Sequence, residues 1–410
     1  MTWDFSPPET SILSDHDVYT RSDLLKGKKI ALIVCGGIAA MKSPLLAREL
    51  RRHQASVTVY TSEEALNYTT LTSLEWSSDQ PVVSKLSANA EHLNSGNIFD
   101  CYLIAPATYN TINKMALGIA DSIVTTTLAT ALGYMERGKT EVIIAPTMHG
   151  VMHNSILTKN MQYLHDLGVS FIKPRQEFGK NNLPNIKSIV AQCIRSLQGK
   201  SLKGKRILVT AGNTPVSIDS IRRISTIFKG RLGLEIANEL YFRGAAVDFI
   251  LSGSDIPIPE YINTFRVNSF LSYKETCLEL SKKNNYHLSI FSAAVADYEP
   301  TEVFNGKIKS EGTLKQINLS TTEKIIDTYQ KLFKETQLIS FKYEENLSHD
   351  ELLKIAYNRL ERGYEAVIAN RGEEKDKDGM QIAHLVTTSK PIKTAAGKNN
   401  IAKMICDFIE

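Results

Sequence analysis

Residues 25–37 read LKGKKIALIVCGG, and residues 202–213 read LKGKRILVTAGN. In each stretch a basic turn precedes an apolar run that predicts a buried strand, and small residues follow the run. A strand that leads through a small-residue loop into a helix is how a doubly wound nucleotide-binding domain begins. The repeat therefore predicts two such domains in series, although two strand starts can also resemble each other by chance.

The chain of 410 residues is long enough for two domains of ordinary size. We predict an N-terminal extension over residues 1–23, a first domain over 24–198 and a second over 199–410. Five short apolar strands are predicted in each domain, alternating with amphipathic helices, and this alternation indicates mainly parallel sheets. The expected fold class is α/β, with two doubly wound, Rossmann-like domains.

The net charge and the cysteine content indicate which kinds of partner and which cellular compartment to expect. The formal net charge of +4 is too weak to indicate nucleic acid and suits phosphorylated small molecules equally well. Five scattered cysteines without a CxxC pair predict reduced thiols and a cytoplasmic protein. The polar start MTWDFSPPET is unlike a signal peptide, and the apolar runs are only strand-length. We therefore expect no membrane segment.

Two polar features of the first domain indicate a phosphate site. Gly36 and Gly37 form a strand-to-helix turn, where backbone N–H groups can approach a phosphate. Such a glycine pair is also common for structural reasons alone. Thr61 and Ser62 follow the second predicted strand, and ligands of parallel sheets bind at the carboxyl ends of strands.

Three longer strings in this domain are more specific. GGIAAMK (36–42), APATYNTINKMALGIAD (105–121) and APTMHGVM (145–152) resemble, in order and spacing, the flavin-containing cysteine decarboxylase family. The resemblance implies a flavodoxin-like domain that binds FMN, which takes a hydride from the cysteine part of the substrate so that its carboxylate can leave. The cofactor-binding residues that it implies are Gly36, Gly37, Ser62, Ala107, Thr108 and Asn110.

The same resemblance implies two catalytic histidines. His92 stands where the family has its active-site histidine, and its implied role is that of base or proton handler. His149 replaces the family's asparagine that holds the substrate carboxylate, a role that a protonated imidazole can also fill. A structural role remains the alternative for each. Bacterial members carry a cysteine in a flap, whereas residues 174–182 contain none and resemble the shorter archaeal flaps. Lys180 is a candidate substitute proton donor or, alternatively, a solvated loop lysine.

The second domain carries its own strings, TAGNTPVSIDSIR (210–222), SAAVADY (292–298) and KIK (307–309). A loop at the end of a buried strand, followed by a basic pair, suits a nucleotide triphosphate. These strings resemble the phosphopantothenate–cysteine ligase family. Residues 24–410 thus resemble the fused phosphopantothenoylcysteine decarboxylase / phosphopantothenate–cysteine ligase of coenzyme A biosynthesis.

This resemblance implies that CTP activates the carboxylate of 4′-phosphopantothenate, and that cysteine then displaces CMP. Mg²⁺ would bridge the triphosphate, no protein metal ligand is assigned, and ATP remains an alternative to CTP. Lys307 is the implied catalytic residue, and a homo-oligomer is expected. The implied nucleotide-binding residues are Gly212, Ala294, Asp297, Lys307, Thr322, Lys324, Ile325, Ile326, Phe341, Asn358 and Arg362.

Two departures keep a non-catalytic alternative open. Thr226 replaces the family's asparagine that handles the acyl intermediate, and Lys229 replaces a small serine near the phosphates. A divergent FMN-binding protein that has lost one or both activities, and acts by binding a partner, is therefore the second hypothesis. A flavin prenyltransferase-like enzyme is the third, and the second nucleotide-binding domain argues against it.

Overall fold

The computed structural model describes residues 6, 7, 9–93, 98–309 and 316–410. The chain divides into two compact units, Met1–Gly199 and Lys200–Glu410. Residues 1–5 and 8 of the predicted extension lie outside the described residues. Within the described ranges, none of the helices combines the length and the apolar character that crossing a bilayer requires.

The first unit is built on a five-stranded parallel sheet in the order β2-β1-β3-β4-β6, which is the flavodoxin-like order. Its helices form two groups, in which α1 packs with α2 and α6, and α3 packs with α4 and α5. A small three-stranded antiparallel sheet has the order β5-β8-β7. The strands are β1 (Lys29–Val34), β2 (Ser56–Thr61), β3 (Cys101–Ala107), β4 (Glu141–Pro146), β5 (Met148–His149), β6 (Ser170–Phe171), β7 (Arg175–Glu177) and β8 (Lys180–Asn182). The helices are α1 (Ser43–Arg52), α2 (Leu71–Ser78), α3 (Tyr109–Ala116), α4 (Ile123–Glu136), α5 (Ser155–Asp166) and α6 (Ile186–Leu197).

The second unit contains an eight-stranded sheet in the order β13-β12-β9-β14-β17-β18-β19-β20. The first six strands are parallel and follow the 3-2-1-4-5-6 order of doubly wound folds, while β19 and β20 add antiparallel strands at one edge. The strands are β9 (Arg206–Gly212), β10 (Val216–Ser217), β11 (Arg223–Ile224), β12 (Ala246–Ser252), β13 (Asn263–Val267), β14 (Leu288–Phe291), β15 (Tyr298–Pro300), β16 (Leu319–Thr321), β17 (Gln337–Glu344), β18 (Ala366–Arg371), β19 (Ile382–Val386) and β20 (Lys393–Ala396). The helices are α7 (Arg231–Phe242), α8 (Phe270–Lys283), α9 (Ile325–Leu332), α10 (His349–Leu360) and α11 (Lys398–Ile409).

The two strands that open the repeat, β1 and β9, are central in their sheets. After its first residue each strand is buried along its whole length, as expected for strands covered by helices on both faces. Neighbouring residues of β9 serve different faces, since Leu208 and Val209 belong to separate core clusters. The predicted α/β class with two doubly wound domains is confirmed.

In each sheet the strand order reverses beside the opening strand, between β1 and β3 in the first unit and between β9 and β14 in the second. The loops leaving such strands diverge and leave a crevice at their carboxyl ends, which is where ligands of these folds bind. Each unit therefore has its own expected ligand site. The five cysteines all lie in described segments, are buried and form no disulfide.

Candidate active sites

The loops that follow β1 and β2 pack closely together. A Cβ atom on Gly36 would lie 2.5 Å from Cβ of Glu64, so only glycine permits this approach. Ser62 donates its N–H to the carbonyl of Val34 at 3.1 Å, and its Oγ accepts the N–H of Ala65 at 3.3 Å. The structure thus brings Gly36, Gly37 and Ser62 together at the carboxyl edge of the sheet.

Thr108 completes this edge from β3. It is the N-cap of α3, where its Oγ1 accepts the N–H of Thr111 at 3.4 Å. A Cβ atom on Gly37 would lie 3.6 Å from Cγ2 of Thr108, so the two predicted phosphate-binding loops are neighbours. Ala107 is buried at the end of β3, and Asn110 is exposed in the first turn of α3. Open helix N–H groups, a glycine loop and two hydroxyls fit the phosphate of FMN.

Cys35, between β1 and the glycine pair, takes no part in this chemistry. Burial raises the pKa of its thiol to about 11, although hydrogen bonding with Thr111 and Thr108 opposes the shift. The thiol is therefore neutral at physiological pH and acts as a small packing residue.

His92 lies in a segment that two tyrosines fix. Tyr60 at the end of β2 donates its hydroxyl to the carbonyl of Glu91 at 3.0 Å, and Tyr134 of α4 donates to the carbonyl of Leu93 at 2.9 Å. The Nδ1 atom of His92 is buried, yet it has no hydrogen-bond partner within the described ranges. A buried polar atom of this kind calls for an explanation, and a bound ligand would supply one.

The small sheet pairs His149 with the segment that replaces the cysteine-bearing flap. Residues 175–182 form a hairpin of β7 and β8, and His149 stands directly opposite Lys180 in the β5–β8 ladder. The N–H of Gly150 donates to the carbonyl of Gly179 at 3.1 Å. A cavity of about 490 Å³ is lined by the hairpin together with Gly150 and His153. The pairing of His149 with Lys180 depends on chain reversal, so no local sequence pattern predicts it.

In the second unit, a backbone hydrogen bond joins the carboxyl end of β9 to the loop that follows β14, at the base of the corresponding crevice. The N–H of Ala294 donates to the carbonyl of Gly212 at 2.8 Å. Gly212 has a φ of +86°, and a Cβ atom there would lie 2.0 Å from the carbonyl oxygen of Ser252. Asn213 follows, donating Nδ2 to the carbonyls of Phe228 and Gly253 at 2.9 and 3.2 Å. Its buried Oδ1 meets no donor in the part of the chain that the structure describes, so it can accept one from a ligand.

Asp297, Thr322 and Lys324 are also brought together. Thr322 donates its N–H to the carbonyl of Asp297 at 2.9 Å, and Lys324 forms an ion pair with the Asp297 carboxylate. Lys324 is the N-cap of α9, which begins at Ile325. Ile325 is buried in the hydrophobic core and Ile326 packs against it, so their backbone groups are better suited than their side chains to a nucleotide.

Lys307 is exposed, and its loop is held by Asp219, which lies in the string of residues 210–222 quoted above. The Oδ2 atom of Asp219 accepts the N–H of Ile308 at 3.1 Å and the guanidinium of Arg222 at 2.5 Å. Arg222 also donates to the carbonyl of Ile308 at 3.3 Å. Burial alone would raise the pKa of Asp219, but the N–H groups of Ile221, Ile308 and Arg222, with the Arg222 side chain, hold it well below its ordinary value. We name these three residues (Asp219, Arg222 and Ile308) the Asp219 clasp.

Of the other predicted nucleotide-binding residues, Asn358 and Arg362 are not assembled at the carboxyl edge. Phe341 lies within β17 and is partly buried. Asn358 and Arg362 are exposed at the end of α10, where the chain returns to the start of β18 and thus to the amino edge of the sheet. Arg359 instead contacts β17, donating to the carbonyl of Phe341 at 3.0 Å. The roles of Phe341, Asn358 and Arg362 stay predictions.

Comparison with known proteins agrees with this geometry. The Flavoprotein family model matches residues 18–198, and the model of the DNA/pantothenate metabolism flavoprotein C-terminal domain matches residues 202–410, half of the chain. The two family models together place the chain in the class of DNA/pantothenate metabolism flavoproteins.

Two relatives extend over most of the chain. The coenzyme A biosynthesis bifunctional protein CoaBC of Thermococcus kodakarensis is 40% identical over 86% of this chain and 87% of that protein. The protein of the same name from Methanocaldococcus jannaschii is 31% identical over 95% of each. Among solved structures, the C-terminal domain of a CoaBC protein covers 51% of this chain and 96% of its own, with 24% identity and a TM-score of 0.43. The chain belongs to the family of coenzyme A biosynthesis bifunctional proteins CoaBC.

Proposed function

We propose that this chain joins cysteine to 4′-phosphopantothenate in its second unit, using CTP, and decarboxylates the product to 4′-phosphopantetheine in its first unit, using FMN. The observation that carries the proposal is that each unit gathers predicted site residues at the strand-order reversal of its own sheet. The bifunctional relatives support it over most of the chain's length. We assign residues 24–198 to the decarboxylase domain and residues 199–410 to the ligase domain.

In the ligase reaction, the carboxylate of 4′-phosphopantothenate attacks the α-phosphorus of CTP, and pyrophosphate leaves. The cysteine amino group then attacks the acyl carbon, loses its proton and displaces CMP. The ammonium group of Lys307 stabilises charge that develops on the phosphoryl and acyl oxygens. Asp297 binds the nucleotide, while the backbone around Gly212 and Ala294 forms the floor of its site. Mg²⁺ would be held by triphosphate oxygens, and no protein ligand is assigned to it.

In the decarboxylase reaction, Gly36, Gly37, Ser62, Thr108 and the start of α3 would hold the FMN phosphate. Bound FMN supplies oxidation of the cysteine moiety, which makes loss of CO₂ favourable, and later returns the electrons. His92 moves the proton, because its segment is fixed while its Nδ1 is free for a ligand. His149 binds the substrate carboxylate.

Protonation of the enethiolate is the step that a flap cysteine would serve. Residues 174–182 contain no cysteine, and burial keeps the Cys35 thiol, next to the glycine pair, protonated. The proton donor is therefore Lys180, His92 or water. Lys180 stands directly opposite His149 in the β5–β8 ladder, which supports it as one of these candidates.

The protein is also proposed to be a cytoplasmic homo-oligomer. Five buried cysteines without a disulfide suit a reducing compartment. Ile38 and Met41, in the 3-10 turn before α1, and Leu45, in its first turn, expose 68, 57 and 60% of their surfaces. Such an apolar group is suited to contact with a second copy of the chain.

Two assays test the activities separately. Pyrophosphate release should require 4′-phosphopantothenate, cysteine and CTP together, and CO₂ release from phosphopantothenoylcysteine should require FMN but no nucleotide. Pyrophosphate release without CO₂ release would leave a ligase joined to a non-catalytic flavin domain. Replacing CTP by ATP in the first assay decides which nucleotide is the substrate.

A further inference from the structure

Three potential metal ligands meet at one edge of the second unit. His349 is the first residue of α10, Glu374 follows β18, and His384 lies in β19. Each residue offers one ligand atom, and the three atoms lie within 4.8 Å of one another. None of the three belongs to the residues assigned above to the nucleotide or its substrates.

The distances within this cluster are close to those of a metal site. Nε2 of His384 lies 3.1 Å from Oε1 of Glu374, and Nδ1 of His349 lies 4.0 Å from the same oxygen. A tetrahedral ion with bonds of about 2.0–2.1 Å needs ligand atoms roughly 3.4 Å apart. Because the His349 side chain is 42% exposed, a small rotation can bring it to that distance.

The buried histidine is already oriented. His384 is 4% exposed, and its Nε2 makes no hydrogen bond of acceptable geometry with any described residue, although it faces Glu374. Its other ring nitrogen, Nδ1, lies 2.9 Å from Oγ1 of Thr394 in β20. When Nδ1 donates to Thr394, Nε2 keeps the lone pair that a metal requires. Metal-bound histidines are ordinarily fixed by such an outer hydrogen bond.

The Glu374 carboxylate is also held by an outer hydrogen bond. Oε2 of Glu374 accepts a hydrogen bond from Nε of Arg371 at 3.3 Å, which leaves Oε1 directed between the two histidines. The histidine rings are nearly perpendicular, with centroids 4.7 Å apart and an interplanar angle of 79°. Both rings can therefore present nitrogen to one point without stacking on each other.

We propose that His349, Glu374 and His384 bind one divalent ion of the Zn²⁺ class, with water as the fourth ligand. Two imidazoles and one carboxylate suit zinc and its transition-metal neighbours, whereas Mg²⁺ takes oxygen ligands, so the site is distinct from any ion bound with the nucleotide. The ion joins the start of α10 to the β18–β19 edge and stabilises the second unit. The proposal stands whether or not the ligase assignment is correct.

The test is a titration of the full-length chain, produced without a histidine tag and stripped with a chelator. Co²⁺ is the probe because its visible spectrum reports coordination. We expect one equivalent to bind with the absorption of a four-coordinate nitrogen and oxygen site, without a thiolate charge-transfer band, and to be displaced by Zn²⁺. Saturation with Zn²⁺ should raise Tm by about 5–10 °C.

Three variants make the result specific. His349→Ala and Glu374→Gln should each weaken Co²⁺ binding at least about 100-fold, since each removes a direct ligand. His165→Ala removes an exposed histidine of the other unit and should bind as the parent does. The capping box at the start of α10 uses Ser348 and Glu351, so His349→Ala should unfold as the metal-free parent does. Absence of saturable binding, or parental affinity in either ligand variant, would overturn the proposal.

Discussion

Lys307 is positioned through its neighbour, because the Asp219 clasp holds the backbone of Ile308. We predict that Lys307→Gln slows ligation about 30- to 1000-fold, since one lost charge-assisted contact in the transition state costs roughly 2–4 kcal/mol. Decarboxylation in the other unit should be unchanged. Pyrophosphate release measures the first effect, and CO₂ release from phosphopantothenoylcysteine measures the second.

The matched control is Lys282→Gln, which removes an exposed lysine at the end of α8. It should leave both rates at the parental level. A parental ligation rate in Lys307→Gln would remove Lys307 from the catalytic set.

His92 is the residue of the first unit that we propose transfers a proton. We predict that His92→Asn lowers CO₂ release by about 100- to 10,000-fold, because asparagine cannot carry the proton. FMN content should persist, since the phosphate-binding loops do not include this segment. Absorbance of the purified variant reports the flavin, and His165→Ala serves as the control. CO₂ release at the parental rate would assign His92 a structural role.

Among the elements, the hairpin of β7 and β8 occupies the segment that we propose replaces a cysteine-bearing flap. We predict that Lys180→Ala releases CO₂ at the parental initial rate, because proton donation follows that step. If Lys180 is the donor, the variant accumulates reduced flavin and oxidised enethiol. Normal conversion to 4′-phosphopantetheine would instead assign the proton to His92 or water. Flavin absorbance and product mass, recorded together, separate the two results. Loss of CO₂ release itself would contradict this order of steps.

The Asp219 clasp makes the stability of the second unit depend on pH. The pKa of Asp219 lies below its ordinary value of 3.8 in the folded protein. Its carboxylate therefore stabilises the fold at pH values above 3.8, and this contribution is lost as the pH falls from there toward the lower folded pKa. We predict that Asp219→Asn is less stable than the parent at about pH 7 and that the difference shrinks below about pH 4. Urea unfolding at several pH values measures it, and a difference that grows on acidification would contradict the assignment.

The elements that the sequence predicts best are the buried parallel strands, whose apolar runs are continuous. Strand β13 (NTFRV) is only partly buried, and two of the four residues of β20 (KTAA) are exposed, so neither has such a run. Helix α4 (IVTTTLATALGYME) begins with β-branched residues, which favour strands locally. Its Ser122–Thr125 capping box and the packing of Val124 and Leu128 make it a helix.

The two candidate active sites are less predictable from sequence than the strands, because many of their contacts join residues that are far apart in the chain. Loops that carry recognisable strings, such as Gly36–Gly37 and Ala294–Asp297, could be assigned from sequence. The Asp219 clasp, the His149–Lys180 pairing and the Arg359 contact each join residues that are distant in sequence or hidden by ordinary local patterns. Their partners are set by strand order and chain reversal, which only the fold supplies.

At the scale of the molecule, the division after Gly199 predicts that the flavin unit is sufficient for its cofactor. The residues proposed to bind the FMN phosphate, Gly36, Gly37, Ser62 and Thr108, all lie within it. We predict that a fragment ending at Gln198 retains FMN with the spectrum of the full chain. Its absorbance and flavin-to-protein ratio measure this. A folded but colourless fragment, beside a yellow full-length protein, would contradict the assignment of FMN to the first unit alone.

The central claim, two consecutive activities in one chain, is tested most directly by a single incubation of the purified full-length protein with FMN, Mg²⁺, 4′-phosphopantothenate, cysteine and CTP. The account predicts 4′-phosphopantetheine by mass spectrometry, with one CMP, one pyrophosphate and one CO₂ for each molecule formed, and no product when CTP is omitted. Accumulation of phosphopantothenoylcysteine, or no conversion of 4′-phosphopantothenate, would contradict the claim of two activities.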